Sequence, residues 1–599
     1  MIHYRIQPHR PQAHLFLVEV TVDTPTPEGQ AFTLPAWIPG SYMIRDFARH
    51  IVSFEAFADG QPLAWDKLDK QTWQLAPAES PVTVRIEVYA WDLSVRGAHL
   101  DTTHGYFNGS CVFLAAMGHE DQPCEVIIEA PDGATYSDWR VATGMPRVSG
   151  PELGFGTFRA DNYDALIDYP VEIGRFEHAT FEACGVPHEV VISGRHFTDM
   201  ARLCRDLVPI CEEHIRLFGE PAPMDRYVFM TLVTGDAYGG LEHRNSTSLM
   251  CARNDLPRRT DTPDVLRDGY RTYLGLCSHE YFHTWNIKRI KPNAFTPFDL
   301  RQEVHTELLW AFEGVTSYYD DLALVRSGLI TPQAYLELVG QTLTRVERGS
   351  GSQRQTVTES SFDAWTRFYK QDENAPNAIV SYYAKGALVA LALDLTLRDM
   401  TNDEKSLDDL MRLLWQRYGQ TGQGVPEQGI QALAEELAGQ PMDAFFDLAL
   451  YSTAPLPLVD LLASRGVTLE WRPPAGHGDM GGKPAGAVPV WLGIRLADDP
   501  LGARIQVAHD QGAAMAAGLS AGDVIVALDG LKTDARRFDE QLSVYQPGAR
   551  VRVHAFRRDE LMHFDVTLAP GEPNTAVLRL ADTTLNDAAR RWLRYPRDL

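Results

Sequence analysis

The sequence predicts a multidomain chain of mixed α and β structure: an N-terminal β-sandwich, an α-rich domain, and a compact block behind a Pro/Gly-rich linker. Three observations carry this. Short apolar/polar alternation dominates the first 170 residues, helical periodicity dominates from about 195 to 465, and Pro and Gly crowd the stretch 472–487. The length agrees, since 599 residues make about three or four domains at roughly 150 residues each.

Residues 1–170 read as the sandwich. The runs 14–20 and 82–88 alternate as half-buried strands do, and clusters such as 25–29 (Pro-Thr-Pro-Glu-Gly) punctuate them. From about 195 the period changes. The segment 197–217 is expected to be an amphipathic helix, with Met200, Leu203, Leu207 and Ile210 at helical spacing. Strand-like runs 226–232 and 247–251 flank a Gly-rich segment, and helical patterns follow to 465, so 171–471 is expected to form one domain with a helical C-terminal part. Residues 472–487 then read as a linker, 488–571 as a third domain and 572–599 as a short charged tail.

Charge and cysteine usage exclude some classes. The 80 acidic and 55 basic residues leave −25, which disfavours nucleic acid and anionic membrane surfaces as partners. No run of 18 apolar residues occurs, so no membrane-spanning helix is expected. The seven cysteines are odd in number and include no Cys-x-x-Cys, against a disulfide framework, a zinc ribbon or a redox pair. Scattered reduced thiols, with no signal-peptide pattern at the start, suit a cytoplasmic protein.

The chemistry concentrates at His279-Glu280-Tyr281-Phe282-His283. On a helix, positions i and i+4 share a face, so His279 and His283 can hold one ion while Glu280 stands beside it as a base. Thr262 and Pro263 are expected to start that helix and Pro292 to lie just past its end. A catalytic zinc site needs a third protein ligand. The candidates downstream are Glu303, His305, Glu307 and Glu313; Glu313 stands in an apolar, helix-like stretch, where a carboxylate needs a cation. Asp320, two turns on, is expected to steady a ligand histidine.

At this point the sequence resembles the glycyl aminopeptidase family, gluzincin metallopeptidases that carry a PDZ domain. The resemblance rests on the run from His279 through Thr284-Trp285-Asn286-Ile287-Lys288 to Pro292, and on Pro35-Ala36-Trp37-Ile38-Pro39-Gly40-Ser41-Tyr42 near the start. It implies a thermolysin-like α-rich catalytic domain with one zinc ion per chain on His279, His283 and Glu313. Glu313-Gly314 is similar to the Glu-Gly that supplies the third ligand in aminopeptidase N-type relatives, after a longer insert here. Gly239-Gly240-Leu241-Glu242-His243 resembles their exopeptidase motif, with His243 in place of Asn; Glu242 would pair with a peptide's α-ammonium while Gly239 and Gly240 admit its backbone. Tyr383-Ala384-Lys385-Gly386 resembles the motif whose tyrosine stabilises an oxyanion, with Tyr382 an adjacent competitor. Trp491-Leu492-Gly493-Ile494 and Gly518-Leu519-Ser520-Ala521-Gly522-Asp523 resemble PDZ signatures, which implies a site for a peptide C-terminus or a packing module.

The resemblance implies a zinc aminopeptidase for peptides with a free N-terminus, preferring Gly or Ala. The alternatives are a thermolysin-like endopeptidase and a degenerate, PDZ-bearing peptide-binding protein.

Overall fold

The computed structural model describes residues 1–262, 265–486, 488–582 and 584–595. They form two compact units, residues 1–304 with 414–425, and residues 305–413 with 426–599.

The first unit opens with the β-rich region that the alternation predicts. Ile2–Arg10 lies inside an eight-stranded sheet, antiparallel to Leu15–Val22 and parallel to Cys124–Ile128. Period-2 alternation turns Ile2, Tyr4 and Ile6 inward, where they join Phe16, Phe107 and Phe113 in one core shared with two four-stranded sheets. All seven cysteines are free thiols, and six of them are buried. Apolar packing therefore holds this region without covalent staples.

Next comes a five-stranded sheet of β1 (Phe176–Ala183), β2 (Val186–Ser193), β3 (Tyr227–Thr234), β4 (Gly239–Glu242) and β5 (Ser246–Ala252), in the order β1-β2-β3-β5-β4. β2, β3 and β5 run parallel, and β4 returns antiparallel along β5 as the edge strand. Two helices accompany the sheet. The first, α1 (Met200–Phe218), starts where the Asp199 side chain accepts from the Arg202 amide, three residues later than the periodicity predicts.

The second helix, α2 (Asp268–Phe282), begins well after Thr262. Arg267 precedes it in extended conformation, held there because its guanidinium donates to the Asp261 carboxylate and the Leu256 carbonyl. Pro263, the other expected start residue, lies outside the described residues. Among the described residues no helix is long and apolar enough to cross a membrane.

In the second unit α3 (Val315–Arg326), α4 (Pro332–Glu347, capped by Thr331) and the buried α5 (Ala384–Met400) pack together. The chain then enters β6 (Val467–Arg472) and, beyond it, a sheet of β7 (Ile494–Asp499), β8 (Gly502–Ala508), β9 (Val524–Leu528), β10 (Arg550–Arg557) and β11 (Glu560–Thr567), with α6 (Phe538–Leu542) between β9 and β10. Asn377 ties this module to the helices. Its amide donates to the Ala508 carbonyl and accepts from the Asp510 backbone, while Ser350 and Arg354 bind the Asp510 carboxylate.

Two segments differ from expectation. The described part of the expected linker, 472–486, is pinned rather than free: Arg472 pairs with Asp479 at 2.6 Å, His477 bonds Asp539 of α6, and Gly482 bridges to Val577. Nor do the described residues of 572–595 form a tail. They carry β12 (Thr575–Leu580), fully paired with β6, and α7 (Asp587–Leu593), whose Trp592 is completely buried. The periodicity of so short a final helix is lost among its arginines, and pairing partners a hundred residues apart leave no local signal.

Candidate metal centre

The last turn of α2 brings the two histidines together. His279 Nε2 and His283 Nε2 are 3.1 Å apart with rings at 85°. Two nitrogens on one tetrahedral zinc, each about 2.0–2.1 Å away, stand about 3.3–3.4 Å apart, so the pair fits an ion. The tautomer of His283 follows from its other face. Its Nδ1–H donates to the Asn286 carbonyl at 2.9 Å, which turns the Nε2 lone pair toward His279. A backbone carbonyl three residues on therefore orients this ring.

Helix α2 is anchored from behind. Tyr281 meets His188 Nε2 at 2.9 Å, and Ser278 meets His214 Nε2 at 2.8 Å, with Tyr227 and Phe229 stacked around them. Burial lowers the His188 pKa to about 4, so this support is neutral at physiological pH.

The carboxylates lie on the other side. Glu242, Glu280 and His283 each offer one ligand atom, all within 4.8 Å of one another, and all three side chains are buried. Two glycines make the approach possible. A Cβ on Gly240 of β4 would stand 2.1 Å from Glu280 Oε1, so the glycine lets the edge strand run close along that carboxylate. Gly40, at φ +91°, would place a Cβ 2.5 Å from Glu242 Oε1, which lays the Pro39-Gly40-Ser41 loop directly on that carboxylate. Arg96 also reaches over and donates to the Gly240 carbonyl at 3.3 Å.

His243, the residue that departs from the exopeptidase motif, has a structural partner. Its Nδ1 meets Asp168 Oδ1 at 3.1 Å, and Lys288 Nζ meets the same oxygen at 2.7 Å. Burial would push the Asp168 carboxyl up, but Lys288, the His243 hydrogen bond and Arg244 outweigh it and hold it well below the usual carboxylate range. Burial lowers the His243 pKa against the pull of Asp168, so the ring is a neutral donor. Gly40 and Lys288 lie inside the family-like runs 35–42 and 279–292, whereas Arg96 and Asp168 belong to no pattern in the sequence.

In the second unit Glu313 is buried in a π-helical turn, Trp310–Gly314, that leads into α3. Such a bulge re-aims side chains and is enriched at functional sites. Gly314 faces Gly386 of α5 so closely that a Cβ on Gly314 would stand 2.5 Å from the Gly386 backbone. This contact brings the start of α5, and Tyr383, beside the Glu313 turn. The Tyr383 phenol lies 3.2 Å from the Tyr369 hydroxyl, and burial together with the Glu313 charge raises its pKa well above the usual tyrosine value. Tyr382 is fully buried against Phe368. Of the other candidate ligands, His305 stacks on Phe362, and Glu307 reaches Tyr451 at 3.5 Å.

Residues 3–175 match the Peptidase M61 N-terminal domain, 272–389 the M61 glycyl aminopeptidase domain and 490–568 a PDZ domain. An aminopeptidase N family protein from Idiomarina loihiensis is 46% identical over 99% of this chain and 100% of its own, with a TM-score of 0.96. More distant likenesses include an M1 zinc metallopeptidase from Deinococcus radiodurans (14% identity, 76% of this chain, 94% of that one, TM-score 0.46). Another is yeast LTA4 hydrolase (12% identity, 76% and 68%, TM-score 0.47). No curated protein matches.

Proposed function

The chain belongs to the M61 glycyl aminopeptidase family, with a PDZ domain, and from that premise we propose that it is a zinc-dependent aminopeptidase releasing small N-terminal residues, Gly or Ala, from peptides. The observation that carries the reading is the pair of histidine nitrogens 3.1 Å apart with Glu280 and Glu242 beside His283.

His279 and His283 would hold one zinc ion, and Glu313 would supply the third ligand. A carboxylate buried in an apolar wall calls for a cation. The chemistry such an ion supplies is acidification of a bound water and polarisation of a carbonyl. Glu280 takes the proton from the attacking water and returns it to the leaving amine. Glu242 pairs with the substrate's α-ammonium, and Gly239 and Gly240 let an extended peptide lie along β4, the edge strand of its sheet. Tyr383, which feels the Glu313 charge, would donate its hydroxyl to the developing oxyanion, with Tyr382 beside it as the alternative donor.

A scan of aminoacyl reporter substrates, with and without chelator, tests the reading. Gly and Ala reporters are expected to turn over fastest, with activity lost to chelator and restored by zinc. Equal cleavage of a peptide and its N-acetylated form would instead mark an endopeptidase, and absence of stoichiometric zinc in the purified protein would overturn the metal assignment.

A further inference from the structure

The second unit holds a cavity of about 340 Å3 that lies among α4, α5, the loop 453–459 and β6. Its walls are mostly apolar, chiefly Leu343, Val346, Leu388, Leu458, Leu469 and Trp471, with Ser352, Gln353 and Thr453 among them. Two charged side chains line it as well. Lys385, one helical turn into α5, is 5% exposed, and Glu347, the last residue of α4, stands at the mouth with much of its side chain in solvent.

These two charges feel each other across the cavity without forming an ion pair. Burial pulls Lys385 below the ordinary lysine range, and the Glu347 charge only partly offsets this. A buried ammonium facing an apolar cavity is costly unless something anionic joins it. Among the described residues, Glu347 is the opposite charge that acts on it.

We propose that this cavity is a binding site for an apolar α-amino acid, held as its zwitterion with the carboxylate on Lys385, the ammonium on Glu347 and the side chain against the Leu343–Leu469 wall. The chemistry selects against other occupants. A phosphate or other dianion would meet one cation and one anion in a mostly apolar chamber. A fatty acid offers no positive group to Glu347, and that carboxylate would repel its head. The volume lies at the lower end of the usual range for small-molecule sites, which suits a residue the size of leucine or phenylalanine and is small for a longer peptide. Lys385 belongs to the Tyr383-Ala384-Lys385-Gly386 motif but points to this separate chamber, so its place in the motif does not make it part of the proposed chemistry.

Calorimetric titration of the full-length Glu242→Gln protein tests this, because that substitution removes the competing amine site. L-leucine is expected to bind at one site. L-leucinamide, without the carboxylate, is expected to bind at least tenfold more weakly, and N-acetyl-L-leucine, without the ammonium, to be weakened too. Adding Lys385→Met is expected to cost at least tenfold in leucine affinity. Val459→Trp, which fills the chamber from its exposed rim while keeping both charges, is expected to do the same and decides the matter if the lysine variant does not fold. Leucine binding unchanged by both substitutions, or leucinamide or N-acetyl-leucine binding as tightly as leucine, would overturn the assignment. Neither readout depends on peptidase turnover, so loss of the catalytic reading leaves this test intact.

Discussion

Glu280 occupies a position that only its neighbours make possible. The carboxylate is buried, β4 passes it at Gly240, and Glu242 and His283 share its surroundings. Replacing Glu280 with Gln keeps the shape and removes the base, so kcat is expected to fall by about 10²–10⁴-fold while bound zinc, measured by elemental analysis, stays stoichiometric. Gly240→Ala tests the same point from the strand side. Its new Cβ would collide with Glu280 Oε1, and turnover is expected to drop at least about tenfold with a far-ultraviolet spectrum like the parent's. A variant as active as the parent would mean that Glu280 is not confined as described. The His-Glu-x-x-His pattern and the buried Glu313 are legible at this scale because each is a short, local departure from expected chemistry. Gly40 and Asp168 are not, since their roles exist only after distant segments have met, Gly40 with Glu242 and Asp168 with His243, 75 residues on.

At the scale of elements, the loop after β4 depends on a buried charge cluster. Asp168 receives His243, Lys288 and the Arg244 amide, and Lys288 is itself almost fully buried. Asp168→Asn leaves that ammonium without its counter-charge and is expected to cost about 3–5 kcal/mol in unfolding free energy, read by denaturant titration. The sign with pH follows from the depressed carboxyl pKa. A group held low in the folded state contributes its full stability above the unfolded pKa of about 3.9 and loses it only as pH falls below that value. The gap between parent and variant is therefore expected to stay constant from pH 8 to 5 and to narrow below about 4. A gap that widened in acid would contradict the assignment. Helix periods for α1 and the strand pattern of β3 and β5 were readable because each buries one continuous face. The start of α2 was not, since the Arg267 contacts override a capping residue and a proline that fit the usual rule.

For the whole chain, the PDZ module is an insertion between paired strands rather than an appendage. The chain leaves through β6 and returns through β12, and α7 then seats Trp592 under α3, where its indole donates to the Tyr318 hydroxyl and its carbonyl accepts from Arg326. Trp592→Ala is expected to destabilise the protein by about 3–5 kcal/mol and to lower its thermal midpoint, whereas a free tail would tolerate the change. Composition gave no hint of this closure. The Pro and Gly of 472–487 do break regular structure, but broken regular structure can still be fastened by side chains, as Arg472 and His477 show.

The meeting of Gly314 and Gly386 sets a rule for how this family can vary. Where two side chains touch, a gain in one can be matched by a loss in the other, and sequences drift in compensated pairs. Here neither partner has a side chain to give up, so an added methyl on one helix has no counterpart that could shrink on the other. Homologues are expected to hold both glycines together, and no double substitution at 314 and 386 is expected to rescue either single one. The spacing between the Glu313 turn and Tyr383 is thus a main-chain dimension, closed to adjustment by ordinary mutation.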